Sequence, residues 1–421
     1  MKRVFRRCFL FCLCLGFVFS FTAFPISSTS VSYQKTSSLT TEIRGVWLTN
    51  VASGVLFVPW GINRAINQLA SLNFNTIYPV VWNRGYTFYK SAVAKSVIGE
   101  DTQPLLNFMH GGKDVLAKLV KLSKTKDISI IPWFEYGFMT PPNSALANLH
   151  PEWLTIGQQG VDSVNEILPE EVDDNGVFKR QLWLNPLHPQ VQEFIQNLIL
   201  EVVKNYDIDG IQVDDHFGMP VQFGYDTYTI KLYQKEHLGQ NPPSDPFETE
   251  WMRWRADKIT DFMTRINQSI KAIKPHVKIS LSPNSQYFAY KYYLQDWETW
   301  VNKGLIDELI LQVYRDDKES FLAEIKKPAV QLAMTKIPVS IGISTGTTIS
   351  PVNISKIKEK VQFVRDGIHS STGDLNFAGF SFFYWESLWG YIAPESPQKR
   401  RQAFLEMFST KAVKPLQLKK M

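Results

Sequence analysis

Asp214 and Asp215 stand side by side at the end of an apolar run, Asp209-Gly210-Ile211-Gln212-Val213-Asp214-Asp215-His216. Adjacent carboxylates in such a place disfavour folding unless they are solvated or paired, so the pair invites a chemical reading. Other acids end similar runs: Glu135 after Trp133 and Phe134, Asp316 and Asp317 after Tyr314, and Glu386 in Tyr384-Trp385-Glu386. A pair of carboxyls is the minimum equipment for glycosidic cleavage, one acting at the anomeric carbon and one protonating the leaving oxygen. Aromatic rings suit the C–H faces of sugars, which makes Trp47, Trp82, Trp133, Tyr136, Tyr314 and Trp385 candidate subsite walls. Taken singly, each aromatic is better read as core; their joint place at strand ends is what favours a site. Asp215 also has a plainer reading, as a turn residue that caps the next element.

Other chemistries fare worse. Asp214, Asp215 and His216 could ligate a cation, but neither H-x-x-x-H nor H-E-x-x-H accompanies them. No metal and no cofactor is expected, and His216 reads as a hydrogen-bonding site residue. No G-x-G-x-x-G or Walker pattern follows a strand, which excludes nucleotide chemistry.

These side chains need elements to position them. Short β-rich runs occur at 43–49, 76–82, 128–136, 210–216, 278–284, 308–314, 338–344 and 379–386, with helical patterns near 62–72, 114–125, 189–205, 251–273, 319–334, 353–369 and 398–408. Such alternation implies a parallel sheet, and eight units imply an α/β fold, a closed (β/α)₈ TIM barrel. The connections 82–113 and 137–188 are long and both follow strands, so both belong at the C-terminal mouth where barrel enzymes work. Trp153, Trp183, Asn185 and His188 in the second connection favour an ordered, substrate-facing role.

Period-2 alternation then sorts the faces. Ile211 and Val213 oppose Gln212 and Asp214, while Ile279 and Leu281 oppose Ser280, Ser282 and Asn284. Leu309, Leu311 and Val313 oppose Ile310, Gln312 and Tyr314, and Val339, Ile341 and Ile343 oppose Ser340, Gly342 and Ser344. Outer helices demand the apolar sets, which leaves the polar sets inside.

The remaining context comes from composition. The chain has 421 residues, 44% hydrophobic and 13% aromatic, enough for a full-sized core and too aromatic for disorder. Lys2, Arg3, Arg6 and Arg7 precede an almost wholly apolar stretch from Cys8 to Phe24, the requirements of an export signal. The alternative is an uncleaved anchor that tethers the protein to a membrane. Cleavage would remove all three cysteines and lower the formal charge from +5 by four, to +1, so thiol chemistry and nucleic-acid binding lose their support. Residues 25–42 read as a polar linker, 43–408 as the barrel, and 409–421 as a solvated basic tail with Lys411, Lys414, Lys419 and Lys420.

From about Glu42 to Phe408 the chain resembles the glycosyl-hydrolase-like family 10 proteins, a group of exported bacterial barrels. The matching stretches are EIRGVWLTN, NTIYPVVWNRG, IIPWFEYGFM, LWLNPLHPQVQ, YDIDGIQVDDHF, LILQVYRDD and GFSFFYWESLW, in that order. The resemblance implies a barrel of the α-glycosidase superfamily acting on a polysaccharide, with bacterial cell-wall glycan (peptidoglycan) the substrate expected from some relatives. It maps the superfamily's fourth-strand nucleophile onto Asp214. Amylase-like branches take their acid from a fifth-strand Glu, where this chain has Ser282-Pro283-Asn284. Branches like α-galactosidases use a sixth-strand Asp, for which Asp316 or Asp317 stands ready, and Glu135 is the rival donor.

The expected protein is therefore an exported glycoside hydrolase, periplasmic or extracellular, with Asp214 as nucleophile and Asp317 or Glu135 as acid/base. Asn83, Asp215, His216, Asn284, Gln312 and Glu386 join the aromatic residues in holding the sugar. A non-catalytic carbohydrate-binding barrel and a metal-dependent polysaccharide deacetylase are the alternatives.

Overall fold

The structure, a computed structural model, describes residues 40–160, 181–347, 351–370, 373–389 and 395–415. The expected export signal, most of the polar linker, and Lys419 and Lys420 lie outside the described residues. Eight parallel strands form the barrel: β1 (Ile43–Leu48), β2 (Thr76–Pro79), β3 (Ser129–Ile130 and Trp133–Phe134), β4 (Gly210–Asp214), β5 (Lys278–Ser282), β6 (Glu308–Gln312), β7 (Val339–Ser344) and β8 (Gly379–Phe383). Each pairs with the next, and β8 pairs back onto β1.

β3 closes the ring. Its first segment pairs with β2 and its second with β4. Pro132 interrupts it by removing one ladder donor, but the register is unbroken. Thr76 faces Ser129 and Val80 faces Trp133, the same offset of 53 residues on either side of the proline. The Pro132 carbonyl still accepts from Gln212 N at 2.8 Å.

Among the helices packed around this ring are α1 (Pro59–Ser71), α2 (Val115–Thr125), α3 (Pro189–Asn205), α4 (Thr249–Ile273), α5 (Trp297–Asn302), α6 (Lys318–Ile325), α7 (Ile354–Asp366) and α8 (Pro397–Met407). α3 shows why they form and where they face. Pro189 starts it, and Val191, Phe194, Ile195, Leu198, Ile199 and Val202 make a buried stripe at helical spacing. α5, after β5, carries no clear pattern in the sequence. The single helix expected over 319–334 is two, because Pro328 forces Lys327 into extended backbone and stops α6.

The lumen is filled by the polar sets. Trp47 Nε1 donates to Gln212 Oε1 at 2.7 Å, Gln212 Nε2 to Ser280 Oγ at 3.0 Å, and Ser280 Oγ to Glu308 Oε1 at 3.0 Å. Gly45 lets this layer close, since a Cβ there would fall on the Ser381 hydroxyl and the Tyr78 ring. Ile211, Val213, Ile279, Leu281, Leu309 and Leu311 are fully buried on the other face, beneath the helices.

Two expectations about the chain's ends are corrected. Thr40–Thr41 is not linker but pairs with Ala412–Val413, so the tail opens as a strand rather than a solvated end. Beside it Glu42 is buried between Arg44 (2.7 Å) and Arg365 (2.8 Å), and Arg44 Nη1 donates to Thr410 O at 2.6 Å. The long connections also hold their own structure. The first has a hairpin (Trp82–Asn83 with Tyr86–Thr87) and helices Ala92–Ile98 and Pro104–Met109. The second has a three-stranded antiparallel sheet of Met139–Thr140, Leu182–Leu184 and Leu154–Thr155. No helix among the described residues is long and apolar enough to cross a membrane.

Candidate active site

β4 delivers Asp214 to the mouth, facing inward and almost fully buried. Three donors converge on its carboxylate. Trp133 Nε1 reaches Oδ2 at 2.8 Å, while Gln312 Nε2 (2.8 Å) and the Asp215 amide (2.7 Å) reach Oδ1. Burial raises its pKa, the Asp215 carboxylate adds to that, and Glu135 contributes further.

Glu135 arrives from the neighbouring strand. Gln212 pairs with Trp133 and Val213 with Phe134, so one more step of the same register sets Asp214 beside Glu135. Strands in a sheet lie about 4.8 Å apart, which brings the two acids within reach of one sugar ring. The Glu135 carboxyl is buried and accepts from Thr49 Oγ1 at 3.2 Å. Burial raises its pKa to about 7, against the opposing pull of Asn83, His216, Thr49 and Arg84.

Partly exposed polar groups surround the pair. Asn284 Nδ2 donates to Asp215 Oδ2 at 2.8 Å, and Trp297 Nε1 holds the Asn284 carbonyl at 3.0 Å. His216 Nδ1 lies 3.0 Å from the Glu135 carbonyl, which can only accept, so the hydrogen is on Nδ1. The rings of Tyr136 and Trp183 flank His216 at 6.2 and 6.0 Å. Tyr314 faces the same carboxylates: burial raises its pKa, with Asp214, Asp215 and Glu135 adding to the effect. Asp214, Asp215, His216, Glu135, Asn83, Asn284, Gln312, Tyr314, Trp133 and Tyr136 thus share one mouth.

Several candidates have other jobs. Asp317 is exposed and caps α6, its Oδ1 accepting from Ser320 N at 2.7 Å. Trp47 is sealed inside the lumen on Gln212, one layer below the mouth. Trp82 is sealed outside it, bonded to Gly137 O and packed on Phe194. Neither can offer a face to a sugar. Trp385 is buried against Trp389, and Glu386 accepts from Ser53 and the Val55 amide. In the second connection, Trp153 packs on Phe194, Asn185 binds Asp226 and Thr229, and His188 packs on Tyr228, so these residues fold the excursion instead of facing the mouth.

Residues 42–365 match the glycosyl hydrolase-like 10 family, well over half of the chain. The chain belongs to that family. It is 24% identical over 322 residues to glycosyl hydrolase YngK of Bacillus subtilis, which covers 68% of this chain and 56% of that protein. Over 148 residues it is 27% identical to glycosyl hydrolase DigH of Escherichia coli, 31% of each chain. The match thus spans about half of the first relative's length and less of the second's. Among solved structures, the glycoside hydrolase domain of PgaB (BpsB) from Bordetella bronchiseptica superposes with a TM-score of 0.58 at 13% identity, covering 87% of this chain and 99% of that one. α-L-Fucosidase isoenzyme 2 from Paenibacillus thiaminolyticus gives 0.58 at 14% identity, covering 87% and 49%. At such identities the likeness establishes the fold, a (β/α)₈ barrel.

Further features of this glycosyl hydrolase-like 10 barrel are not marked in its sequence. Gln295, between β5 and α5, donates to the Asp214 carbonyl at 2.8 Å and the Phe217 carbonyl at 3.2 Å, clamping the turn that carries the acids. Phe383 packs on Tyr314 at 5.7 Å and meets Trp133 edge-on at 6.4 Å. Beyond that wall a cavity of about 470 Å³ continues between Tyr314, Asp316, Ser344, Asn353, Lys356 and Phe383. Ligand atoms of Asp214, Asp215 and His216 lie within 4.8 Å of one another. The Asp214 carboxylate already accepts three hydrogen bonds, so a cation there would share Oδ2 with Trp133.

Proposed function

We propose that this protein is a retaining glycoside hydrolase of a polysaccharide, with Asp214 as nucleophile and Glu135 as acid/base. The observation that carries it is the placing of two buried carboxyls on adjacent strands in different surroundings. Three donors favour the ionised form of Asp214 and oppose the burial and the Asp215 charge that raise its pKa. Glu135 has fewer and titrates near neutrality, where a proton donor works best. Carboxyls one strand apart suit the separation of about 5 Å that goes with retention.

In the first step an Asp214 oxygen bonds to the anomeric carbon as the glycosidic C–O bond breaks. The Glu135 proton passes to the departing oxygen. In the second, ionised Glu135 takes a proton from water, whose oxygen replaces Asp214 on the anomeric carbon. Asp215, His216, Asn284 and Tyr314 hold the ring's hydroxyls, and the cavity past Tyr314 and Phe383 takes a neighbouring unit of the chain. The basic and apolar N-terminal segment supports export, and bacterial cell-wall glycan is the substrate that fits an exported family member.

The test offers purified cell-wall glycan and, separately, α-glucans to the wild type, Asp214→Asn and Glu135→Gln. Release of new reducing ends should fall by about 10³-fold or more in Asp214→Asn. Glu135→Gln should fall far less on aryl glycosides, whose leaving group needs no proton. Proton NMR should show the first product with the substrate's anomeric configuration. Equal release by wild type and Asp214→Asn would remove Asp214 from the mechanism. Binding with no cleavage of any glycan would leave a carbohydrate-binding barrel.

A further inference from the structure

Four large apolar side chains stand out in solvent on one corner of the molecule. Trp60, at the start of α1, is 60% exposed, and Leu105, Phe108 and Met109 of the short helix Pro104–Met109 are 53%, 81% and 37% exposed. Two hydrogen bonds pin these segments together. His110 Nε2 lies 2.7 Å from the Leu56 carbonyl, and Lys118 Nζ donates to the Pro59 carbonyl. Other exposed large apolar residues, such as Leu238, Tyr287 and Leu405, sit on separate elements.

The corner is also basic. Lys113 and Lys118 are close enough to repel one another, and Lys121 follows one turn later on α2. α1 contains no carboxylate, and none lies between Thr102 and Lys113. Asp114 turns its carboxylate inward, to Ala117 N at 3.0 Å and the Tyr206 hydroxyl at 2.5 Å, while Asp101 is paired with Lys90 at 3.1 Å. Apolar side chains ringed by lysines match a surface that is apolar below and anionic above.

We infer that this corner docks on an anionic lipid bilayer, with Trp60, Leu105, Phe108 and Met109 entering the acyl boundary and Lys113, Lys118 and Lys121 meeting the headgroup phosphates. A glycan would use the two rings but has no use for Leu105 or Met109. A second copy of the chain would bring like charges face to face. Both segments follow the C-terminal ends of strands, so the docked corner belongs to the rim of the mouth. The inference is independent of the reaction proposed above, and of any tether supplied by the N-terminal apolar stretch.

Hydrogen exchange on the full chain tests it locally. Vesicles of phosphatidylcholine with about 30% phosphatidylglycerol should slow exchange in peptides covering 56–64 and 104–113 by about fivefold or more, and about 0.5 M salt should reverse this. Pure phosphatidylcholine should not slow it, even where the N-terminal segment holds the chain on the vesicle. Trp60→Ser with Phe108→Ser, both exposed and so harmless to folding, should abolish the protection. Equal protection by neutral vesicles, no protection by anionic ones, or the same protection by a soluble polyanion without lipid would each overturn the inference.

Discussion

Burial acts alike on Asp214 and Glu135, and what separates them is the set of groups each touches. Asp214 takes an indole N–H, an amide side chain and a backbone amide, while Glu135 takes the Thr49 hydroxyl and faces Asn83. At Asp214 those three donors oppose the rise that burial and Asp215 bring, and the proposed reaction assigns the proton to Glu135. Its pKa rises from 4.5 to about 7, so the proton needed for bond breaking is present below that value and lost above it. Activity should fall about tenfold per pH unit on the alkaline side of neutrality, as a pH profile of kcat/KM would record. The sign for stability is the same: the folded state holds a proton that the unfolded state has lost between pH 4.5 and about 7. Glu135 should contribute a decline of up to about 3 kcal/mol through that window, and melting curves of Glu135→Gln should show a shallower slope there. Both acids were legible in the sequence, because alternation turns Asp214 inward and Glu135 ends the neighbouring strand. Gln295 was not legible, since it clamps from a turn with no period to read.

At the scale of elements, an acid that begins a helix and an acid that ends a catalytic strand look alike in sequence. Asp317 follows β6 by only a few residues, and only the structure gives its carboxylate to Ser320 N. Asp317→Ala should lower the melting temperature slightly through loss of the cap and leave kcat on any cleaved glycan unchanged; a large loss of kcat would return it to the chemistry. Trp47 and Trp82 show a second limit of the same kind. Alternation tells which side of a strand a residue faces but not its depth along the barrel axis, so Trp47 read as mouth although it fills a lower layer. Trp82 lies where the chain has already left the barrel for a hairpin, and alternation no longer applies. The break at Pro328 had an explicit signal, the proline itself.

For the molecule as a whole, the number and order of strands followed from the sequence, while the seam at its ends did not, because two-residue pairings carry no pattern. The tail supplies an acceptor to a buried arginine: without Thr410, Arg44 Nη1 loses a partner at 2.6 Å, and Ala412–Val413 no longer covers Thr40–Thr41. A chain ending at Ser409 should lose about 2 kcal/mol or more by calorimetry, with turnover on glycan unchanged, because the site is at the opposite end of the barrel. The mouth itself mixes two kinds of support. Tyr136, Asn284 and Tyr314 stand in or beside connecting segments, whereas the two acids are spaced by a hydrogen-bonded ladder that closes the entire ring. Substitutions and insertions in the excursions can therefore change which sugar is gripped without altering the face of the ring that is attacked. Under the proposed mechanism the stereochemical course follows the gap between the two carboxyls, and that gap is set by the ladder and not by the excursions.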